Sequence, residues 1–115
     1  MNALIEKQSD KLVGHCGLLV QTVDGVQELE IGYSLLPEFW NNGFASEAAA
    51  YCRDFAFKNN FAESLISIIS ITNIPSQKVA LKNGMRVEKT TIYNGNQVNV
   101  FRIHRHEYEK LITRS

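Results

Sequence analysis

No part of this 115-residue chain is apolar over the roughly 20 residues that a bilayer-spanning helix requires. The opening residues carry Glu6, Lys7 and Asp10 without an apolar core, so no secretory signal is expected. Charge of one sign is also missing, because 12 Lys+Arg face 12 Asp+Glu. A general nucleic-acid or anionic-membrane binder draws its affinity from surplus positive charge, and that class is disfavoured. Cysteine is scarce: Cys16 and Cys52 fit no metal or redox spacing, and two reduced, buried thiols in a cytoplasmic protein are expected. His104-x-His106 has no spaced third ligand, so no metal is expected. His15-Cys16 makes a poor catalytic pair, since neighbours on a strand face opposite sides. No linker, repeat or low-complexity tract divides the chain, which reads as one domain over 1–115.

Hydrophobic residues at 44% and charged residues at 21% suit a domain with its own core. Residues 3–7 and 12–22 read as strands, and Asp24-Gly25 is a hairpin signal before a strand at 27–35. In that strand Leu29, Ile31 and Tyr33 point one way, while Glu28, Glu30, Gly32 and Ser34 point the other. After Pro37 the period changes. Phe44, Ala48, Tyr51, Cys52 and Phe55 recur at helical spacing, with Ser46, Glu47, Arg53, Asp54 and Lys58 opposite, so a helix is predicted over 43–58. It ends at Asn59-Asn60. Residues 65–71 are apolar on both faces, as in a covered parallel strand, which makes strand, helix and strand one βαβ unit. A short helix follows, with Ser76 as cap, Val79, Ala80 and Leu81 as apolar contacts and Gly84 after its last turn. A hairpin of 86–93 and 97–104 turns at Asn94-Gly95, and the tail at 107–115 is expected to fray. The fold class is α+β, a mostly antiparallel sheet with one central crossover.

The most informative stretch runs from Pro37 through Trp40, Asn41, Asn42, Gly43, Phe44, Ala45 and Ser46 into the long helix. The first N–H groups of a helix have no internal partner, and the helix dipole adds partial positive charge. Gly43 and the small Ala45 and Ser46 let a bulky anion approach the main chain, so a phosphate or pyrophosphate is the ligand class. Gly-Lys-Ser/Thr and Gly-x-Gly-x-x-Gly, the better-known phosphate patterns, are both absent. An ordinary helix start with a glycine in its loop is the competing reading.

The run Glu30-Ile31-Gly32-Tyr33-Ser34-Leu35 through Ala48 resembles the acetyl-CoA-binding motif of the GNAT N-acetyltransferases, closest to the ribosomal-protein-alanine N-acetyltransferase branch. The superfamily pattern Arg/Gln-x-x-Gly-x-Gly/Ala corresponds to Trp40-Asn41-Asn42-Gly43-Phe44-Ala45, with Trp40 departing from the general pattern as in that branch. A second match is Asn73-Ile74-Pro75-Ser76 followed by Val79 and Lys82-Asn83-Gly84-Met85. The resemblance implies a GNAT-like sheet entered after the first strand and two helices of the family fold, and so without the wall those elements give the acceptor site.

It further implies an acetyl-CoA-dependent N-acetyltransferase acting on a primary amine, either a protein N-terminus or a small amine, by direct attack. Main-chain groups of Tyr33 and Leu35 would pair with the pantetheine arm. The amides of Asn41, Asn42, Gly43, Phe44, Ala45 and Ser46 would hold the pyrophosphate, and Asn73 would contact the arm. Leu35 N–H would stabilise developing negative charge on the thioester oxygen. Glu30 is the first candidate base, with Glu28 as fallback, against the plainer reading of a solvated strand glutamate. Ser76 is the candidate acid toward sulfur, against a plain cap. The tyrosine that many family members carry four residues before the glycine is replaced by Ala80. The rival functions are a catalytically silent acyl-CoA-binding or oligomerisation module and, further off, a small-ligand binder without CoA chemistry. Self-association stays open, and no nucleic acid, membrane or metal partner is expected.

Overall fold

The computed structural model describes residues 2–6, 11–35 and 44–113. In chain order the elements are β1 (Asn2–Glu6), β2 (Lys11–Val23), β3 (Val26–Leu35), α1 (Phe44–Lys58), β4 (Ser64–Ser70), α2 (Ile74–Lys82), β5 (Arg86–Tyr93), β6 (Asn96–His104) and α3 (Arg105–Thr113). The strands form one sheet in the order β1-β2-β3-β4-β6-β5. Every neighbouring pair is antiparallel except β3 and β4, which α1 connects as the expected crossover. Both predicted tight turns form with positive φ at each central residue, 48° and 81° at Asp24-Gly25 and 50° and 79° at Asn94-Gly95. That geometry matches the right-handed twist of the strands it joins.

One face of the sheet carries Ile31, Leu65, Ile69, Phe101 and Ile103, and the helices cover it with Ala49, Cys52, Ala56, Phe57, Val79, Ala80 and Tyr108. Alternation of the strands sets this face. The predicted face of α1 needs correction. Tyr51 and Phe55 are exposed, at 63% and 44%, and stack on each other with ring centroids 6.2 Å apart. Arg53, expected outside, is buried, because its Nη1 donates to Asn83 O at 3.0 Å and its guanidinium lies over the Tyr108 ring. From α1 the core therefore takes Ala49, Cys52, Ala56 and Phe57 and leaves Tyr51 and Phe55 outward. Leu81 is likewise exposed, while Val79 and Ala80 are buried.

α1 and α2 stop as the sequence suggests. Asn60 takes φ 56°, and Phe61 N–H reaches Ala56 O at 2.9 Å while Asn60 N–H reaches Phe57 O at 3.2 Å. At the end of α2, Gly84 takes φ 84°, with Met85 N–H to Ala80 O and Gly84 N–H to Leu81 O both at 3.1 Å. Each pair is the closing pattern of a helix that ends in a left-handed residue.

The tail does not fray as expected. It forms α3, because Tyr108 stacks on Phe57 with centroids 4.7 Å apart and Glu107 Oε1 accepts the His104 N–H at 2.9 Å. Arg105 adds bonds to the carbonyls of Phe57 at 3.0 Å and Ala62 at 3.1 Å, fastening α3 to the end of α1.

The face away from the helices is concave. β2 and β5 stand four places apart in the sheet, about 19 Å in a flat sheet at roughly 4.8 Å per strand. Yet Tyr93 Oη donates to Gln21 Oε1 at 2.8 Å, and Lys89 Nζ lies 2.7 Å from Asp24 Oδ2. Between them Arg102 donates to both Glu28 oxygens, to Glu88 Oε2 at 2.7 Å and to Ser64 Oγ at 2.7 Å. Val23, Ile66, Val98 and Val100 are buried beneath this closure.

Gly84 has a second role. A Cβ there would meet Leu111 Cδ2 at 3.2 Å and Ile103 Cδ1 at 3.3 Å. Gly84→Ala should therefore lower stability by about 1–2 kcal/mol through left-handed strain alone, read as a lower urea midpoint at unchanged slope. An unmoved midpoint would contradict the left-handed conformation of Gly84.

Candidate active site

β3 and β4 are bridged at one position, Glu30 opposite Ile66. A parallel ladder running on would join Ile68 N–H to Ile31 C=O and bridge Gly32 to Ile68. Side chains serve those two backbone groups instead. Glu30 Oε2 accepts the Ile68 N–H at 2.8 Å, and Ser67 Oγ donates to Ile31 O at 2.8 Å. Beyond Ile31 the strands part. Strand alternation puts the main-chain groups of Tyr33 and Leu35 on the same side as those of Ile31, toward the gap. Their other neighbour, β2, pairs antiparallel through Cys16 with Tyr33 and Gly14 with Leu35.

The parting leaves a cleft of about 280 Å³ lined by Leu19, Glu30, Gly32, Ser67, Ser70, Asn73 and Ser76, among others. Asn73 and Ser76 arrive from the start of α2. Here the cap assignment changes: Asn73 is the capping residue, and its Oδ1 accepts the Ser76 N–H at 3.2 Å. Pro75 forces this arrangement, because a helix tolerates proline in its first turn, so the helix begins before Ser76. The Ser76 side chain is left at the cleft. Ala80, one turn further on, is sealed in the core at 1% exposure and lends nothing to the cleft.

Glu30 is not the solvated strand glutamate of the plainer reading. Its residue is 7% exposed, and both carboxylate oxygens accept hydrogen bonds, Oε1 from Gln21 Nε2 at 3.0 Å and Oε2 from Ile68 N–H. Burial pushes the carboxyl above its ordinary range, and the two donors pull part of the way back. Glu28, the fallback base, is bound through both oxygens to Arg102 and is spent on closing the concave face.

Phe44, Ala45 and Ser46 begin α1, where the first N–H groups lack intrahelical acceptors. Asn83 braces this turn, its Nδ2 donating to Ser46 O at 3.3 Å and to Val79 O at 3.1 Å. Asn41, Asn42 and Gly43 lie outside the described residues, as does the Cys16 side chain. Cys52 is a buried cysteine outside any disulfide. Among the described residues no three His, Cys, Asp or Glu side chains form a metal-binding group, and no helix is long and apolar enough to cross a membrane. His104 and His106 stack with centroids 5.6 Å apart.

The sequence reading missed Gln21, Ser67 and Tyr93. Ser67 was open to discovery, because a hydroxyl inside Leu65–Ile69 must find a partner once the strand is covered on both faces. Gln21 and Tyr93 gave no such signal, since their meeting depends on the curl of the sheet.

The described residues thus form an α+β domain whose one parallel strand pair parts over a buried carboxylate. Residues 1–86 match the family model described as "Acetyltransferase (GNAT) domain". The chain belongs to the GNAT acetyltransferase family. It is 35% identical over 97 residues to the Bacillus subtilis "Uncharacterized N-acetyltransferase YnaD", covering 82% of this chain and 56% of that protein. The B. subtilis "Uncharacterized protein YkkB" is 34% identical over 85 residues, 74% of this chain and 49% of its own. The chain thus spans about half the length of these curated relatives. Among solved structures, the GNAT-family acetyltransferase of Bacillus anthracis superposes with a TM-score of 0.72 at 28% identity, over 90% of this chain and 65% of its own. The ribosomal-protein-S5-alanine acetyltransferase of Vibrio fischeri shares the fold, with a TM-score of 0.76 at 18% identity over 90% and 60% of the two chains.

The raised Glu30 pKa fixes the sign of a stability effect. The folded chain holds this proton to higher pH than the unfolded chain, so Glu30 favours folding below its ordinary value of 4.5. That contribution is lost as pH rises through the folded value. Glu30→Gln, which does not ionise there, should gain stability relative to the parent between pH 4.5 and 8 in urea denaturation. A difference that stays flat across that range would contradict the burial of an ionisable group.

Proposed function

We propose that this domain transfers an acetyl group from acetyl-CoA to a primary amine, with Glu30 as the proton acceptor. The observation that carries the reading is the parting of β3 and β4 directly above Glu30. The exposed strand edge fits an extended, amide-bearing arm, because the main-chain groups of Tyr33 and Leu35 face the gap and can bond such an arm as an added strand. Acetyl-CoA supplies an activated thioester carbonyl. The unpaired N–H groups at the start of α1, with those of Asn41, Asn42 and Gly43 preceding it, are the proposed hold on its pyrophosphate. Asn73, at the opposite wall of the cleft, is the proposed polar contact to the arm.

An ammonium has no lone pair, so acetyl transfer requires that a proton leave the amine. Glu30 is suited to take it. A carboxylate has about four acceptor sites, and the two bonds from Gln21 and Ile68 leave capacity toward the cleft. Its burial brings its basicity nearer to neutral pH, where a general base is most effective. Leu35 N–H is the proposed donor to the thioester oxygen. The Ser76 hydroxyl, at the start of α2, is the proposed proton source for the departing thiolate.

Two measurements test this. CoA and acetyl-CoA should raise the melting temperature of the chain, as any ligand selective for the folded state does. Thiol release from acetyl-CoA with a panel of amines and peptides should fall about 10²–10⁴-fold in Glu30→Gln, with CoA affinity retained. Binding without release on every acceptor would favour the silent module. No thermal shift at millimolar CoA would overturn the reading.

A further inference from the structure

We propose that Gln21 and Tyr93 are positioning residues that hold the Glu30 carboxylate ionised and aimed into the cleft, so that the β5–β6 hairpin governs the proton acceptor from across the sheet. The inference rests on the reading of Glu30 as that acceptor.

The direction of each bond is fixed by chemistry. An ionised carboxylate only accepts, so the Gln21 amide must present Nε2 to Glu30 Oε1, at 3.0 Å. Its Oε1 then faces Tyr93, whose hydroxyl must donate, at 2.8 Å. A flipped amide would set its carbonyl oxygen against the carboxylate, acceptor against acceptor, and has no place in this chain of bonds. Donors in series polarise one another, so the Tyr93 hydroxyl strengthens the Gln21 bond to Glu30. Ile68 N–H occupies the second oxygen at 2.8 Å and prevents the carboxylate from turning away.

Among the described residues the neighbouring charged groups are engaged elsewhere. On β3, Glu28 is bound to Arg102 of β6. On β5, Glu88 is bound to the same Arg102, and Lys89 is paired with Asp24 of the β2–β3 turn. β4 and α2 offer the cleft Ser67, Ser70, Asn73 and Ser76, which carry no charge. Among the described residues these neighbouring charges are therefore paired with one another, and Gln21 is the side-chain donor to the Glu30 carboxylate.

Tyr93 sits in the last position of β5, beside the Asn94-Gly95 turn, four strands from β2. Its hydroxyl thus ties closure of the concave face to the state of the carboxylate. A merely structural bond would hold the hairpin down and leave the titration of Glu30 untouched.

Carbon-13 NMR of glutamate-labelled chain, with the Glu30 carboxyl signal assigned by its loss in Glu30→Gln, reads this titration without substrate. The midpoint should move upward in Tyr93→Phe, which deletes only the hydroxyl, and further upward in Gln21→Leu. Thiol release near neutral pH should fall about tenfold in Gln21→Leu, the worth of one hydrogen bond to a charged group, with its acid limb moving upward in step. An unmoved Glu30 midpoint in both folded variants overturns the proposal, and Tyr93→Phe alone decides it if Gln21→Leu does not fold. A midpoint that moves while the acid limb stays overturns it too, since Glu30 is then not the acceptor. Absence of thiol release in the parent chain counts against the transferase reading, while the NMR titration still judges the hold on Glu30.

Discussion

The cleft of this domain depends on two adjacent strands ceasing to pair. Parallel neighbours normally satisfy each other's main chain along their length. Here one bridge is made, and then the Glu30 carboxylate and the Ser67 hydroxyl serve the backbone groups next in line. Orphaned buried N–H and C=O groups are costly, at about 1–3 kcal/mol each, so strands do not part without such substitutes. The two side chains make the opening affordable and hold it at a fixed place. The same carboxylate that caps one strand is thereby buried at the apex of the cleft, where its basicity is raised.

The rest of the fold arranges the two sides of that opening. Helices crowd one face, with small residues of α1 against the sheet, and Asn83 ties the first turn of α1 to the end of α2. On the other face the curl of the sheet brings β5 over β2, and the bonds of Arg102 to Glu28, Glu88 and Ser64 lock it. Breaking a buried pair of this kind leaves an uncompensated charge, which is why the concave face keeps its shape. The cleft therefore has a fixed back wall on β4, a helix start on one side and a hydrogen-bonded carboxylate below.

Much of this was legible in the residues. Period changes located the strands and the long helix, Asp-Gly and Asn-Gly located the hairpins, and Gly84 marked the end of the second helix. The errors have physical causes. Tyr51 and Phe55 looked like part of the buried face because they are large apolar residues at helical spacing, yet the core takes Ala49, Cys52, Ala56 and Phe57 instead. Pro75 moved the start of α2 ahead of Ser76 and made Asn73 the cap. The polar sequence at the C-terminus hid α3, whose hold on the fold comes from one aromatic, Tyr108, and the bonds of Arg105 and Glu107. Glu30 was singled out as a candidate from its face of β3, but its burial and its partners were not legible, since Gln21 and Tyr93 meet only after the sheet curls.

The most direct test of the parted strands as the carrier's berth is an amide NMR map of the chain titrated with CoA. The account predicts that shifts concentrate on the backbone of Ile31, Tyr33 and Leu35, on Phe44–Ser46 and on Asn73, saturating together with one dissociation constant. Shifts confined to the outer strands or to α3, with the N–H signals of Tyr33 and Leu35 unmoved at saturation, would contradict it.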